Sequence, residues 1–342
     1  MKAAILVESG KPLVVAEIEL PERLEYGQVL VRVRASGICG SQIGEIDAVK
    51  GPDKFLPHLL GHEGGGIVED VGPGVRHVKT GDRVVLHWRK GAGIEAPTPK
   101  YRWGDRVVNA GWVTTFNERA VVSENRVTPV AEDVDFEIAA LLGCAVTTGL
   151  GVVVNDAQVR IGESIAVYGV GGVGLCVVQG AALAGAATVI AIDRDPEKLA
   201  LASRLGATHT LNTAEGGTAE AVRRIAGPAG VDVGVDTTGH VPLVEEAYEV
   251  TSPRGRTVLV GVTRAGEKAR FYTLPLLFDK ALRGSSGGRS EPAVDIPRYV
   301  NLWRAGRLQL REMITHTFDL EGINEALALL RGGGAGRCVI RM

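Results

Sequence analysis

Residues 162–198, GESIAVYGVGGVGLCVVQGAALAGAATVIAIDRDPEK, constrain the fold more than any other part of the chain. An apolar run, Ser164 to Tyr168, leads into a tight glycine turn, Gly169-Val170-Gly171-Gly172-Val173-Gly174. Small residues at helical spacing follow to Leu183, and a second apolar run, Thr188 to Ile192, ends in Asp193. This is strand, G-x-G-x-x-G, helix, strand, acid, the order a dinucleotide-binding unit requires. The glycines let the backbone approach a pyrophosphate, and N–H groups at the helix start stabilise its charge. Asp193, nineteen residues after Gly174, sits where a carboxylate accepts bonds from an adenosine ribose. A carboxylate there repels a 2′-phosphate, so NAD is expected over NADP, although Arg194 adjoins it. A membrane span is the competing reading of so apolar a stretch. Glycine density, β-branched runs at both ends and the Asp193-Arg194-Asp195-Pro196 finish argue against it.

A chain of 342 residues is long enough for two domains, each with its own core. The net charge of −2 gives no reason to expect nucleic acid or an anionic membrane as partner. Cys39, Cys144, Cys176 and Cys338 are far apart and do not read as a disulfide framework. MKAAILVESGKPLVV reads as a first strand, because Glu8 interrupts it and no cleavage site follows. The expected location is the cytoplasm.

From Lys2 to about Val127 short strands alternate with glycine turns, the pattern of antiparallel β. From Glu163 the rhythm becomes strand–helix–strand, with runs at Ser164–Tyr168, Thr188–Ile192, Thr210–Leu211, Val231–Asp236 and Thr257–Val262. That alternation predicts a doubly wound parallel sheet. The expected fold is therefore α/β: residues 151–288 form the nucleotide-binding domain, while 1–150 and 289–342 form a β-rich one. An open sheet edge near Val258–Val262 is the candidate interface of a homodimer or homotetramer.

Three stretches carry reactive side chains: Gly37-Ile38-Cys39-Gly40-Ser41, Gly61-His62-Glu63-Gly64-Gly65-Gly66, and Leu142-Gly143-Cys144 through Thr148-Gly149. Separations of 23 and 82 residues fit no local metal knuckle. Each cysteine alone reads as a small buried hydrophobe, and His62 as a loop histidine. Two thiols and an imidazole nevertheless suit zinc, and three protein ligands with one open position is the catalytic arrangement.

GICGS, GHEGGG, GCAVTTG and GVGGVG, in that order, resemble the medium-chain, zinc-dependent alcohol dehydrogenase superfamily over essentially the whole chain. The resemblance implies a GroES-like catalytic domain built from both termini and a Rossmann domain inserted between them. It implies Cys39, His62 and Cys144 as catalytic-zinc ligands, with Glu63 as a carboxylate that in some members exchanges into the metal shell. It makes Ser41 the hydroxyl that meets the substrate oxygen and Thr148 a residue under the nicotinamide. Asp193, Arg194 and Lys198 would serve the adenosine ribose, Arg337 the pyrophosphate, and Val262 would complete the cofactor set. Trp88 and Phe116 would line the substrate pocket.

Three departures stand out. The segment His87 through Gly111 lacks the four cysteines of the family's structural zinc, so one zinc per chain is expected. Gln42 stands where the family has Asp, and Gly44 where some members have a relay histidine. Trp88 and Trp112 lie among Lys90, Lys100, Arg102, Arg106 and Asn109, a setting that suits a sugar, cyclitol, polyol or aminoglycoside-type substrate. The expected activity is NAD(H)-dependent interconversion of a polar secondary alcohol and its ketone. Two other functions fit the cofactor unit: a zinc-free reductase of enones or quinones, and a non-catalytic NAD(H) sensor.

Overall fold

Buried valines alternating with exposed arginines make Gln28–Gly37, QVLVRVRASG, a strand, and much of the N-terminal half is built onto it. The computed structural model describes residues 1–334 and 336–342. They divide into one unit of Met1–Ala145 with Glu291–Met342 and a second of Val146–Ser290.

In chain order the first unit contains β1 (Lys2–Leu6), β2 (Val14–Glu17), β3 (Gln28–Gly37), α1 (Gly40–Ile46), β4 (His58–Leu59), β5 (Glu63–Val71), β6 (Arg83–His87), β7 (Lys100–Trp103), β8 (Arg106–Asn109), β9 (Arg119–Ser123), β10 (Val127–Pro129) and α2 (Phe136–Leu142). Across the boundary run α3 (Ala145–Gly151), β11 (Ser164–Tyr168), α4 (Gly172–Leu183), β12 (Thr188–Asp193), α5 (Pro196–Arg204), β13 (His209–Asn212), α6 (Thr218–Ala226), β14 (Val231–Asp236), α7 (Val241–Glu249), β15 (Thr251–Leu259) and β16 (Ala281–Gly284). The chain then returns to the first unit with α8 (Pro292–Arg304), β17 (Ile314–Asp319), α9 (Ile323–Gly332) and β18 (Arg337–Arg341).

Strand β3 pairs with β5 along one side. Its other side takes β9 over Gln28–Arg32 and then β18 over Ala35–Gly37. Valines 29, 31, 33, 68 and 84 with Leu86 form the core under this sheet. The C-terminal strand therefore reaches the end of β3, where the first cysteine lies. The result is the GroES-like β-rich unit the resemblance implies.

The second unit is a parallel sheet in the order β13-β12-β11-β14-β15-β16, with helices between consecutive strands from β11 to β15, the doubly wound Rossmann order. Strands β11 and β14 match the expected runs end for end. Strand β15 does not, because it starts at Thr251 and ends at Leu259. The chain turns away at Gly261, where a Cβ would lie 2.0 Å from the Gly239 nitrogen. Val262 thus falls outside the strand and is 52% exposed. The expected open edge near Val258–Val262 is also corrected: β15 is flanked by β14 and β16, and the edge strand on that side of the sheet is β16. Ala281–Gly284 is too short and too weakly apolar for its sequence to announce an edge strand.

Among the described residues, no single helix is long and apolar enough to cross a membrane. Cys39, Cys144, Cys176 and Cys338 form no disulfide.

Candidate metal centre and cofactor site

Three chain segments converge at the end of β3. Cys39 is the extended N-cap residue of α1, His62 precedes β5, and Cys144 follows α2. One ring nitrogen of His62 and the sulfurs of Cys39 and Cys144 lie within 4.8 Å of one another. The Nδ1 of His62 is met by the side-chain amide of Gln42, so Nε2 is the nitrogen that faces the thiols. That Nε2 is buried and has no hydrogen-bond partner. A buried, orphaned ring nitrogen beside two thiols is what a metal ion would satisfy. The set fits zinc, and Cys39, His62 and Cys144 are the side chains that would hold it.

The electrostatics agree with a shared anionic centre. A hydrogen bond from Cys144, helped by the nearby His62 and Arg337, holds the Cys39 thiol well below its ordinary value. The same bond, with burial, pushes the Cys144 thiol well above its own. Burial works to lower His62, but the facing Cys39 sulfur and the charges of Glu63 and Glu45 outweigh it and raise the imidazole.

Glu63 opens β5 with 0% exposure, and its carboxylate is ion-paired to the guanidinium of Arg337 on β18. It also accepts a long bond, 3.4 Å, from the Ala145 N–H. Gly37 makes room for the pair, since a Cβ there would lie 2.8 Å from the Glu63 carboxyl carbon and 3.0 Å from Arg337. Glu63 therefore stands outside the converging group, and Arg337, 3% exposed, is engaged with it. Burial raises the Glu63 carboxyl, with Arg337 opposing the rise.

Trp88 follows β6 and meets the His62 ring edge-on, centroids 6.5 Å apart at 62°. Its indole N–H is buried without a hydrogen-bond partner. Ser41 is exposed in the first turn of α1. Glu45, one turn further along the same face, escaped the sequence reading although the four-residue spacing from Ser41 was visible. Phe116 needs correction. It is 0% exposed and packs in the core with Leu6, Ile38 and Leu60, so it has no surface to offer a substrate. Its neighbours in sequence could not show which way the ring turns.

In the second unit the glycine turn is built as read. Gly169 has φ +82°, and a Cβ on Gly174 would lie 2.0 Å from the Gly169 carbonyl oxygen. Gly171 caps α4 without a side-chain bond, and a Cβ there would meet nothing within 4 Å. The twelve-residue helix α4 thus presents uncapped N–H groups to open space, with Gly172 and Val173 in its first turn. That cradle fits a pyrophosphate. Asp193 ends β12 and accepts bonds from the N–H groups of Val170 (2.8 Å), Arg194 (2.8 Å) and Asp195 (3.1 Å), which ties the acid to the turn. Lys198 lies in the first turn of α5, and Thr148 is 5% exposed in α3.

A thiol–imidazole–thiol centre on a GroES-like domain, with a Rossmann domain in the same chain, defines a medium-chain dehydrogenase. Comparison with known proteins agrees. Residues 25–132 match the alcohol dehydrogenase GroES-like domain, and residues 172–302 match the zinc-binding dehydrogenase family. The S-(hydroxymethyl)glutathione dehydrogenase of Paracoccus denitrificans is 32% identical over 99% of both chains. A solved alcohol dehydrogenase zinc-binding domain protein from Burkholderia ambifaria superposes with TM-score 0.91, at 32% identity over 100% of this chain and 98% of that one. Benzyl alcohol dehydrogenase from Acinetobacter calcoaceticus gives 0.90, at 27% identity over 100% and 99%. The chain belongs to the NAD-dependent, zinc-containing alcohol dehydrogenase family, oxidoreductases acting on CH–OH. Membership in a family of enzymes sets aside the non-catalytic sensor.

Proposed function

We propose that this enzyme interconverts a polar secondary alcohol and its ketone, with NAD(H) as hydride carrier and one zinc per chain. The observation that carries the reading is the orphaned His62 Nε2 facing Cys39 and Cys144. These three residues would hold the ion, and a bound zinc lowers the pKa of an alcohol oxygen or polarises a carbonyl. Ser41 Oγ, exposed at the start of α1, would accept the hydroxyl proton. The turn Gly169–Gly174 and Asp193, with Arg194 and Lys198 beside it, would position the dinucleotide, whose nicotinamide takes the hydride. Polarity of the substrate is supported by Trp88, whose buried indole N–H has no partner and can donate to a second hydroxyl. A sugar, cyclitol or other polyol supplies such a group.

The test is metal analysis of purified protein together with NADH absorbance over polyols, cyclitols, amino sugars and simple apolar alcohols. One zinc per chain and turnover abolished by chelation are expected. Absence of bound zinc with activity indifferent to chelation would sink the metal reading, and turnover confined to apolar alcohols would sink the substrate class. Repeating the assay with NADP tests Asp193 against Arg194. The enzyme is further proposed to form a homodimer or homotetramer through the edge strand β16. Tyr272, Leu277 and Phe278 just before it are 69%, 78% and 65% exposed, and sedimentation checks the assembly.

A further inference from the structure

Gln42 is 1% exposed and carries two polar groups with opposite capacities. Its Oε1 accepts the backbone N–H of Cys39 at 3.0 Å, closing the box at the start of α1. A backbone N–H can only donate, so this bond fixes which end of the amide is which. The NH2 end is therefore the group that meets His62 Nδ1. A donor at Nδ1 needs a lone pair there, and a neutral ring must then carry its proton on Nε2. Nε2 is the atom facing Cys39 and Cys144. A metal at Nε2 needs the opposite tautomer, lone pair on Nε2 and proton on Nδ1, and that proton would point at the Gln42 NH2. No exposed surface at Gln42 admits water to mediate between two donors.

We propose that Gln42 is a positioning residue that holds the free protein in the tautomer unable to bind metal, so that loading requires the amide to turn over. Resting on the zinc reading above, the inference adds that the ion binds at the cost of the Cys39 cap. When the amide turns, Oε1 accepts from Nδ1–H and the Cys39 N–H loses its carbonyl partner. A carboxylate at position 42 would escape the conflict. Its two oxygens accept the Cys39 N–H and the His62 Nδ1–H together, without rotation. Glutamate reproduces the length of the glutamine, so Gln42→Glu changes the acceptor count and charge without altering volume.

Zinc affinity of wild type and Gln42→Glu, measured by competition with a fluorescent zinc chelator, is expected to differ by about 10–100-fold in favour of the variant, the range found for groups that orient metal-bound histidines. Added negative charge alone could tighten binding, so the deciding measurement is ¹⁵N NMR of the His62 ring at a pH where it is neutral. Wild type should show the Nε2–H tautomer without zinc and the Nδ1–H tautomer with it. The variant should show Nδ1–H in both states. An Nδ1–H ring in the zinc-free wild type, or affinities within twofold of each other, overturns the proposal while leaving a zinc enzyme intact. Failure of either protein to bind zinc overturns the zinc reading itself. Should the variant misfold by circular dichroism, the wild-type NMR pair still decides.

Discussion

Two buried polar centres of the first unit are built on opposite terms. At the end of β3, Cys39, His62 and Cys144 turn their reactive atoms on one another, and His62 Nε2 is left without a hydrogen-bond partner. At the β9–β10 connection, Glu124 is 1% exposed and its carboxylate is claimed by the chain itself. Oε1 accepts the N–H groups of Arg76 at 2.6 Å and His77 at 2.8 Å, and Oε2 accepts that of Ile94 at 2.8 Å. Asn125 adds a backbone bond to the Ile94 carbonyl, and Ser123 Oγ accepts the Ala96 N–H. A single carboxylate thereby ties residues 76–96 to the sheet, close to where the resemblance would place four cysteines. A buried carboxylate whose oxygens are already used by backbone donors holds the fold. A ring nitrogen left unspent beside two thiols is a place for a metal ion.

Removing a ligand from the unspent centre should give the largest effect. In His62→Ala, zinc content should fall from one per chain to near zero and kcat/KM by at least ~10³-fold, the scale of losing charge stabilisation at a reacting oxygen. Stability of the zinc-free protein should fall by only about 1–3 kcal/mol, the cost of leaving the buried Gln42 amide without its His62 Nδ1 partner. A melting temperature that falls as far as activity does would show that the centre is structural after all. Ser41→Ala should leave zinc content intact and lower kcat by about 10²-fold, as expected for a positioned proton acceptor. An unchanged kcat would move the proton to another group, Glu45 being the nearest alternative on α1.

Glu124→Gln inverts the pattern. The substitution keeps the shape of the side chain but replaces one acceptor oxygen with an NH2 that faces a backbone donor. One buried N–H is left unsatisfied, a cost of about 1–3 kcal/mol, read as a lower melting temperature. Zinc stoichiometry and kcat should remain at wild-type values. Loss of zinc in this variant would mean that the two centres are coupled and the contrast between them is wrong.

How much of this was visible in the sequence depends on how far apart the partners lie along the chain. The glycine turn and Asp193 are 24 residues apart at most, and the strand–helix–strand order around them was legible because each piece implies its neighbour. The motifs that contain Cys39, His62 and Cys144 pointed to one shared site, and the structure brings the three together, although spacing alone could not assemble them. Glu63 and Arg337 are 274 residues apart, and only the pairing of β18 with β3 brings them together. Orientation was hidden too: Phe116 turns into the core, and Val262 lies past the end of its strand. Glu124 was overlooked within VVSENRV, where a lone acid in an apolar run was the available signal. The direction of the Gln42 amide depends on a backbone N–H that no sequence pattern describes.

Acid offers the finest discrimination, since two buried groups of the first unit, His87 and Glu124, titrate with opposite demands but the same sign. His87 is fully buried, with Nδ1 against the Arg89 carbonyl at 2.8 Å and Nε2 against Thr128 Oγ1 at 2.9 Å. Burial lowers its pKa from 6.5 to about 4. Between those values the unfolded chain binds a proton that the folded protein refuses, so stability falls as pH falls below about 6.5. The loss levels off near pH 4 and amounts to about 1 kcal/mol by pH 5.5. Burial works to raise Glu124, but the N–H bonds from Arg76, His77 and Ile94 outweigh it and hold its carboxyl below 4.5. Its contribution is therefore complete above the ordinary glutamate range and disappears only as pH falls through the lower folded value. His87→Gln should flatten the decline between pH 6.5 and 4, whereas the gap between wild type and Glu124→Gln should stay constant there and close only below about pH 4.5. Melting temperatures of the three proteins, zinc-free and in parallel, separate the two stages. A Glu124→Gln gap that stays independent of pH below about 4.5 would give Glu124 the pKa of an ordinary solvated carboxylate and remove the contrast between the two centres.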